Sequence, residues 1–174
     1  MSELTASTIR QLLTALNTEL GREQVVGELY LVGGAVMCLV FETRPSTRDV
    51  DALFRPVSVV RAAARRVGTE HALEGDWLND AVKGYLSETG GFRDYLAMEH
   101  LRVFVAEPEY LLAMKCLAMR IGEEFHDLED IRYLLRHLNI EAYDQAVTVI
   151  TKYYPLDRFP QKTLYALEEL LSGA

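Results

Sequence analysis

Between Leu29 and Phe54 the chain runs Leu-Tyr-Leu-Val-Gly-Gly-Ala-Val-Met-Cys-Leu-Val-Phe-Glu-Thr-Arg-Pro-Ser-Thr-Arg-Asp-Val-Asp-Ala-Leu-Phe. Leu29 to Val32 is a short apolar run with β-formers, Gly33-Gly34 breaks it, and Ala35 to Phe41 has helical composition, so the order is strand, glycine turn, helix. A helix that begins on two glycines presents unpaired backbone N–H groups at the positive end of its dipole. Without Cβ atoms, an anion can approach the main chain closely. The pattern is that of a phosphate cradle. After a loop from Glu42 to Arg48 comes Asp49-Val50-Asp51-Ala52-Leu53-Phe54. Residues two apart in an extended chain share a face, so Asp49 and Asp51 project together while Val50 turns into the core. Two carboxylates in one small volume repel unless a cation or proton lies between them. Hard oxygen ligands favour Mg²⁺, which is usually held by one or two carboxylates together with substrate phosphates.

Gly33-Gly34 followed by Asp49-x-Asp51 resembles the nucleotidyltransferase-fold superfamily. The spacing of fourteen residues, Ala35 to Arg48, resembles the small bacterial AbiEii/AbiGii-type toxins of type IV toxin–antitoxin systems. The resemblance implies an α+β fold, α/β-like in its N-terminal part: a nucleotidyltransferase (polymerase-beta-like) fold with a small mixed sheet flanked by helices, then a C-terminal helical bundle. It implies a nucleotidyltransferase core over residues 1–107 and a helical subdomain over 108–174 packed on that core.

Length and composition agree with one ordinary globular domain, or one domain with a helical extension: 174 residues, 49% hydrophobic and 25% charged, can bury a real core. The apolar runs are shorter than a membrane span, and Met-Ser-Glu-Leu-Thr is not an export signal, so the expected compartment is the cytoplasm. Cys38 and Cys116 each sit in a helix-like apolar segment without partner spacing and read as buried thiols. A net charge of −8 opposes a wholly basic, sequence-blind nucleic-acid binder. Locally, Arg44, Arg48, Arg55, Arg61, Arg65 and Arg66 make the neighbourhood of the carboxylates basic. A solvated helix face accounts equally for Arg61, Arg65 and Arg66, whereas Arg44 and Arg48 adjoin the carboxylates.

In chain order, residues 4–20 form an amphipathic helix on Leu4, Ile9, Leu12, Leu13, Leu16 and Leu20, and Pro56 to about Leu73 forms a second with Val59, Val60, Ala63 and Val67 inward. Glu74 to Gly91 is irregular and contains Trp77-Leu78-Asn79-Asp80. Trp77 reads as a core anchor, while a similar Trp-Leu-Asn segment in the toxin-like proteins adds Asn79 and Asp80 to the site candidates. Strands follow at Phe92 to Met98 and Leu101 to Val105, giving a sheet of about four. Helices follow at 109–121, 127–138, Ile140 to Lys152 and Gln161 to Leu171, the last opened by Pro160. The four histidines show no metal-binding helical spacing, and no hydrolase triad pattern appears.

A second constellation joins Lys115 and Arg120 to Asp127-x-x-Asp130, again resembling AbiEii-type proteins. A lysine in an apolar helix must reach water or find an anion, which a nucleoside triphosphate would supply. Asp127, near a helix start, reads as a helix cap, and Asp130 as a partner for Lys115, Arg120 or substrate. The resemblance thus implies Asp49, Asp51 and Lys115 as catalytic residues. Gly33, Gly34, Thr47, Arg48 and Lys115 are the nucleotide-binding candidates, and Asp49 and Asp51 the ligands for Mg²⁺ or Mn²⁺. It implies transfer of an NMP from an NTP to a hydroxyl acceptor, an RNA 3′ end such as that of tRNA, under restraint by a cognate antitoxin. Transfer to a protein or an aminoglycoside, and a catalytically weak module that binds nucleotide or a protein partner, are the alternatives. Leu101 to Val105 lacks the third carboxylate of many active relatives, leaving Asp94, Glu99 or Glu107 to substitute.

Overall fold

The computed structural model describes residues 3–73, 76–120, 122 and 125–173. Residues 1, 2, 74 and 75, on which parts of the export-signal and irregular-stretch readings fall, lie outside these. The fold is mixed α+β. Two units cluster separately, one made of Met1–Gly84 and Phe92–Ala106, the other of Tyr85–Gly91 and Glu107–Ala174.

The first unit opens with a two-residue strand, β1 (Leu4–Thr5), and a helix, α1 (Ala6–Arg22). Leu4 therefore lies in a strand rather than in the helix expected from residue 4. Thr5 caps α1, its hydroxyl accepting from the Thr8 N–H at 3.1 Å. There follow β2 (Gly27–Leu31), α2 (Gly33–Leu39), β3 (Ser46–Thr47), β4 (Val50–Arg55), α3 (Val57–Glu70), β5 (Leu78–Asn79), β6 (Phe92–Ala97) and β7 (Leu101–Ala106). Five of the strands form one sheet in the order β5-β4-β2-β7-β6, and β1 pairs with β3 in a separate ribbon. The expectation of about four strands misses β5 and the ribbon, whose two-residue members are too short to show a period.

Register places the site. β2 and β4 run antiparallel with Leu31 opposite Ala52 and Tyr30 opposite Leu53. Leu29, Leu31, Val50, Ala52, Phe54, Leu101, Val103 and Val105 are buried on one face, and α1 and α3 pack against each other and the sheet. A one-residue slip would turn Asp51 and Arg55 toward this core, so apolar burial specifies the register. Val60, Ala63, Ala64 and Val67 are the buried side of α3, whereas Val59 of the expected inner stripe is only half-buried.

The second unit holds α4 (Pro108–Leu117), α5 (Asp127–His137), α6 (Tyr143–Ile150) and α7 (Gln161–Ser172). α6 starts three residues later than Ile140 because the Gln145 side-chain oxygen accepts from the N–H groups of Glu141 and Ala142, at 2.9 and 3.2 Å, and so defines the helix entry. Residues 85–91 belong to this unit through side chains: the Ser87 N–H donates to the Tyr110 hydroxyl at 2.9 Å, and the Ser87 and Thr89 hydroxyls donate to the carbonyls of Tyr153 and Lys152.

Candidate functional site

Because β2 and β4 are antiparallel, the residue after Leu31 meets the residue before Ala52. The Val32 N–H donates to the Asp51 carbonyl at 3.0 Å, and the glycine turn that follows is thereby set beside Asp51. Gly33 has φ +65°, in the left-handed region where a Cβ is strained. A Cβ at Gly33 would stand 3.1 Å from Asp51 Oδ2. One at Gly34 would meet the Arg44 guanidinium and stand 2.6 Å from the Thr47 hydroxyl oxygen. The turn, the acid and the loop are thus in contact.

Asp49 lies just outside β4, which begins at Val50, and is not a strand residue as expected. Val50 is fully buried, while Asp49 and Asp51 on either side of it are both half-buried. β5 runs parallel to β4 with Asn79 opposite Asp51, and the Asn79 amide donates to Asp49 Oδ2 at 2.9 Å. Trp77 anchors this edge: its indole N–H donates to the Ala64 carbonyl at 2.8 Å, and its own carbonyl accepts from the Val50 N–H at 2.7 Å. Gly33, Gly34, Thr47, Asp49, Asp51 and Asn79 therefore form one neighbourhood, with Arg44 against the turn and Arg48 exposed beside it.

Asp80 serves a different purpose. It pairs with Arg61 at 2.6 Å and with Lys83, and the hydrogen bond from Lys83 holds its carboxyl below the usual carboxylate range. Arg66 is likewise committed to Glu19 and Glu23, and Arg55 lies over the Tyr30 ring at 5.4 Å. The basic stretch from Arg44 to Arg66 is therefore divided: Arg61 and Arg66 serve ion pairs, Arg44 packs against Gly34, and Arg48 is exposed and directly precedes Asp49 in the chain.

In the helical unit Lys115 is buried, its ammonium 3.1 Å from Asp127 Oδ1 and 2.6 Å from Asp130 Oδ2. Asp127 also accepts from the Arg120 backbone N–H at 3.0 Å and from its guanidinium at 3.1 Å. Asp127 is not the cap of α5, a position taken by His126. Burial alone would raise the Asp127 pKa, but the Lys115 charge and the hydrogen bonds from Arg120 and Lys115 outweigh it and hold it low. Lys115, Asp127 and Asp130 thus form a buried ion cluster.

The substitutes considered for a third carboxylate are dispersed. Asp94 is on β6, three strand spacings from β4 or roughly 14 Å. Glu99 is largely exposed at the β6–β7 turn, and the Glu107 carboxylate lies against Gly91 in the helical unit. Among the described residues no group of three or more His, Cys, Asp or Glu side chains is placed to hold a metal. No helix among them is long and apolar enough to cross a membrane. No protein-family model, curated protein or solved structure matches the chain.

The glycine turn and the acid pair carried visible sequence signals. The Asn79–Asp49 contact did not, because it depends on parallel pairing of a two-residue strand. The packing of Arg44 and Thr47 on Gly34 was equally hidden, since it depends on the loop's return past the turn. The Leu4–Thr5 segment braces that loop: Leu4 pairs with Thr47, and the Ser46 hydroxyl donates to Glu3 at 2.5 Å.

Proposed function

We propose that this protein is a metal-dependent nucleotidyltransferase, moving an NMP from an NTP to a hydroxyl acceptor, with the glycine turn and the Asp49–Asp51 pair as its triphosphate and metal site. The observation that carries this reading is the contact between the turn and the acids: Asp51 Oδ2 would be 3.1 Å from a Cβ at Gly33. The donor set fits a cation that takes one or two carboxylates and completes its shell with phosphate oxygens and water. Asp49 and Asp51 would hold Mg²⁺ or Mn²⁺, and the bound ion would supply charge neutralisation at the phosphates.

The chain's own residues have the remaining roles. Gly33 and Gly34 let a phosphate approach the main chain, while Thr47, Arg44 and Arg48 offer a hydroxyl and two guanidinium groups beside it. In the reaction the acceptor oxygen bonds to the α-phosphorus, the bond to pyrophosphate breaks, and the acceptor proton leaves to water. Lys115 is assigned to the ion cluster of the helical unit, because its ammonium is paired with two carboxylates.

Resemblance to AbiEii-type proteins favours an RNA 3′ end such as that of tRNA as acceptor and a cognate antitoxin as partner. The absence of a grouped third carboxylate among the described residues favours a second reading, a catalytically weak module that binds nucleotide or a protein partner. The test incubates the protein and Mg²⁺ with α-labelled NTPs and, separately, total RNA, protein or aminoglycosides. Label in RNA that disappears in Asp49→Ala and Asp51→Ala supports the first reading. Label in the protein or aminoglycoside pool keeps the enzyme and changes its acceptor. NTP binding without labelling selects the second reading, and neither binding nor labelling refutes both.

A further inference from the structure

Asn79 has both ends of its amide committed. Its Nδ2 donates to Asp49 Oδ2 at 2.9 Å, and its Oδ1 accepts from the Ala81 N–H at 3.2 Å. The second bond decides which way the amide faces and leaves its N–H groups toward the carboxylate. The backbone is held as firmly, opposite Asp51 in the β4–β5 register and two residues from the anchored indole of Trp77. An asparagine that only closed the turn into Ala81 would need only its oxygen.

We propose that Asn79 is a positioning residue for the metal-binding carboxylates: its amide orients Asp49, and its backbone occupies the place from which a third carboxylate would enter the same volume. This rests on the reading of Asp49 and Asp51 as metal ligands. A neutral amide holds Asp49 without adding to the repulsion between the two acids. It also leaves the ion with two protein carboxylates, so the metal and the triphosphate reinforce each other's binding and the metal alone is held loosely.

The test measures Mn²⁺ binding to the full chain, from the electron paramagnetic resonance signal of free Mn²⁺, with and without ATP, for wild type, Asn79→Ala and Asn79→Asp. With ATP present, Asn79→Ala is expected to weaken Mn²⁺ binding about 10-fold or more, as loss of a ligand-orienting partner does. Without ATP, Asn79→Asp is expected to bind Mn²⁺ about 10-fold more tightly than wild type, and its thermal midpoint should rise more on adding Mn²⁺. A merely structural asparagine would lower the midpoint equally with and without Mn²⁺ and leave the affinity unchanged. Wild-type affinity in folded Asn79→Ala, or no gain in folded Asn79→Asp, overturns the proposal. If wild type holds no Mn²⁺ even with ATP, the reading of the acid pair falls on its own. The Asn79→Asp arm then decides the position of residue 79, since a gain still requires its carboxylate to join those of Asp49 and Asp51, and no gain overturns it.

Discussion

Replacing Lys115 with methionine separates a lysine that holds the helical unit together from one that faces a nucleotide. Lys115, Asp127 and Asp130 are 8%, 5% and 2% exposed, and the ammonium lies 3.1 and 2.6 Å from the two carboxylates. At an effective dielectric of about 20, each such contact represents roughly 5 kcal/mol of gross attraction, much of it offset by desolvation. Methionine fills most of the lysine stem's volume, so the main loss is the countercharge. Leaving two buried carboxylates without the Lys115 countercharge should cost about 3–5 kcal/mol at neutral pH. Urea denaturation followed by circular dichroism measures this. A triple variant, Lys115→Met with Asp127→Asn and Asp130→Asn, should recover most of the loss because no buried charge remains. Acidification provides a second readout. The Asp127 pKa is depressed in the fold, so its contribution is complete above the unfolded value of about 4 and is lost as pH falls through the folded value. Without the Lys115 charge and hydrogen bond the Asp127 carboxyl is depressed less, so less of its contribution is lost as pH falls. The variant therefore gains relative stability on acidification, and its gap from wild type narrows. A Lys115→Met protein as stable as wild type, or a triple variant no better than the single one, would refute the buried cluster. Normal stability together with lost NTP affinity would return Lys115 to the nucleotide.

Other positions test the remaining geometry. Gly33→Ala should cost about 1–3 kcal/mol, because it forces a side chain into φ +65° and crowds Asp51. Gly84→Ala, where a Cβ has nothing within 4 Å, should change stability by no more than about 0.5 kcal/mol. Equal denaturation midpoints would contradict the left-handed turn. Asp80→Asn should leave NTP affinity intact and cost less than about 1 kcal/mol, since its ion pairs with Arg61 and Lys83 are partly exposed. The cost should fade below about pH 4, because a depressed carboxylate pKa gives up its contribution as pH falls through the folded value. An effect on nucleotide binding would place Asp80 in the site. Cys38 and Cys116 are buried and burial pushes the Cys116 thiol up, so a thiol reagent should label both only after denaturation. Rapid labelling of the native protein would contradict that packing. Tyr110→Phe removes the acceptor for the Ser87 N–H and should cost about 1 kcal/mol, with faster exchange of that amide. Unchanged exchange would show that the hydroxyl does not hold the 85–91 segment.

The sequence alone determined the alternation that buries Val50 between the half-buried Asp49 and Asp51, the break at Gly33-Gly34, and the anchoring role of Trp77. Each depends on neighbours within a few residues, where backbone period and glycine stereochemistry act. It also showed most of the helices, through apolar residues at 3.6-residue spacing. Only the tertiary structure decided which charges pair with which. Lys115, Asp127 and Asp130 read as substrate-facing or structural until their distances were known. Arg61, Arg66 and Asp80 likewise resolve into ion pairs through contacts that no local period encodes. Asn79 is the inverse case, a candidate only through the Trp-Leu-Asn resemblance, whose bond to Asp49 exists only because β5 lies parallel to β4. Charge pairing depends on distance in space, and the chain brings those groups together only when the apolar faces of its strands and helices close on one another.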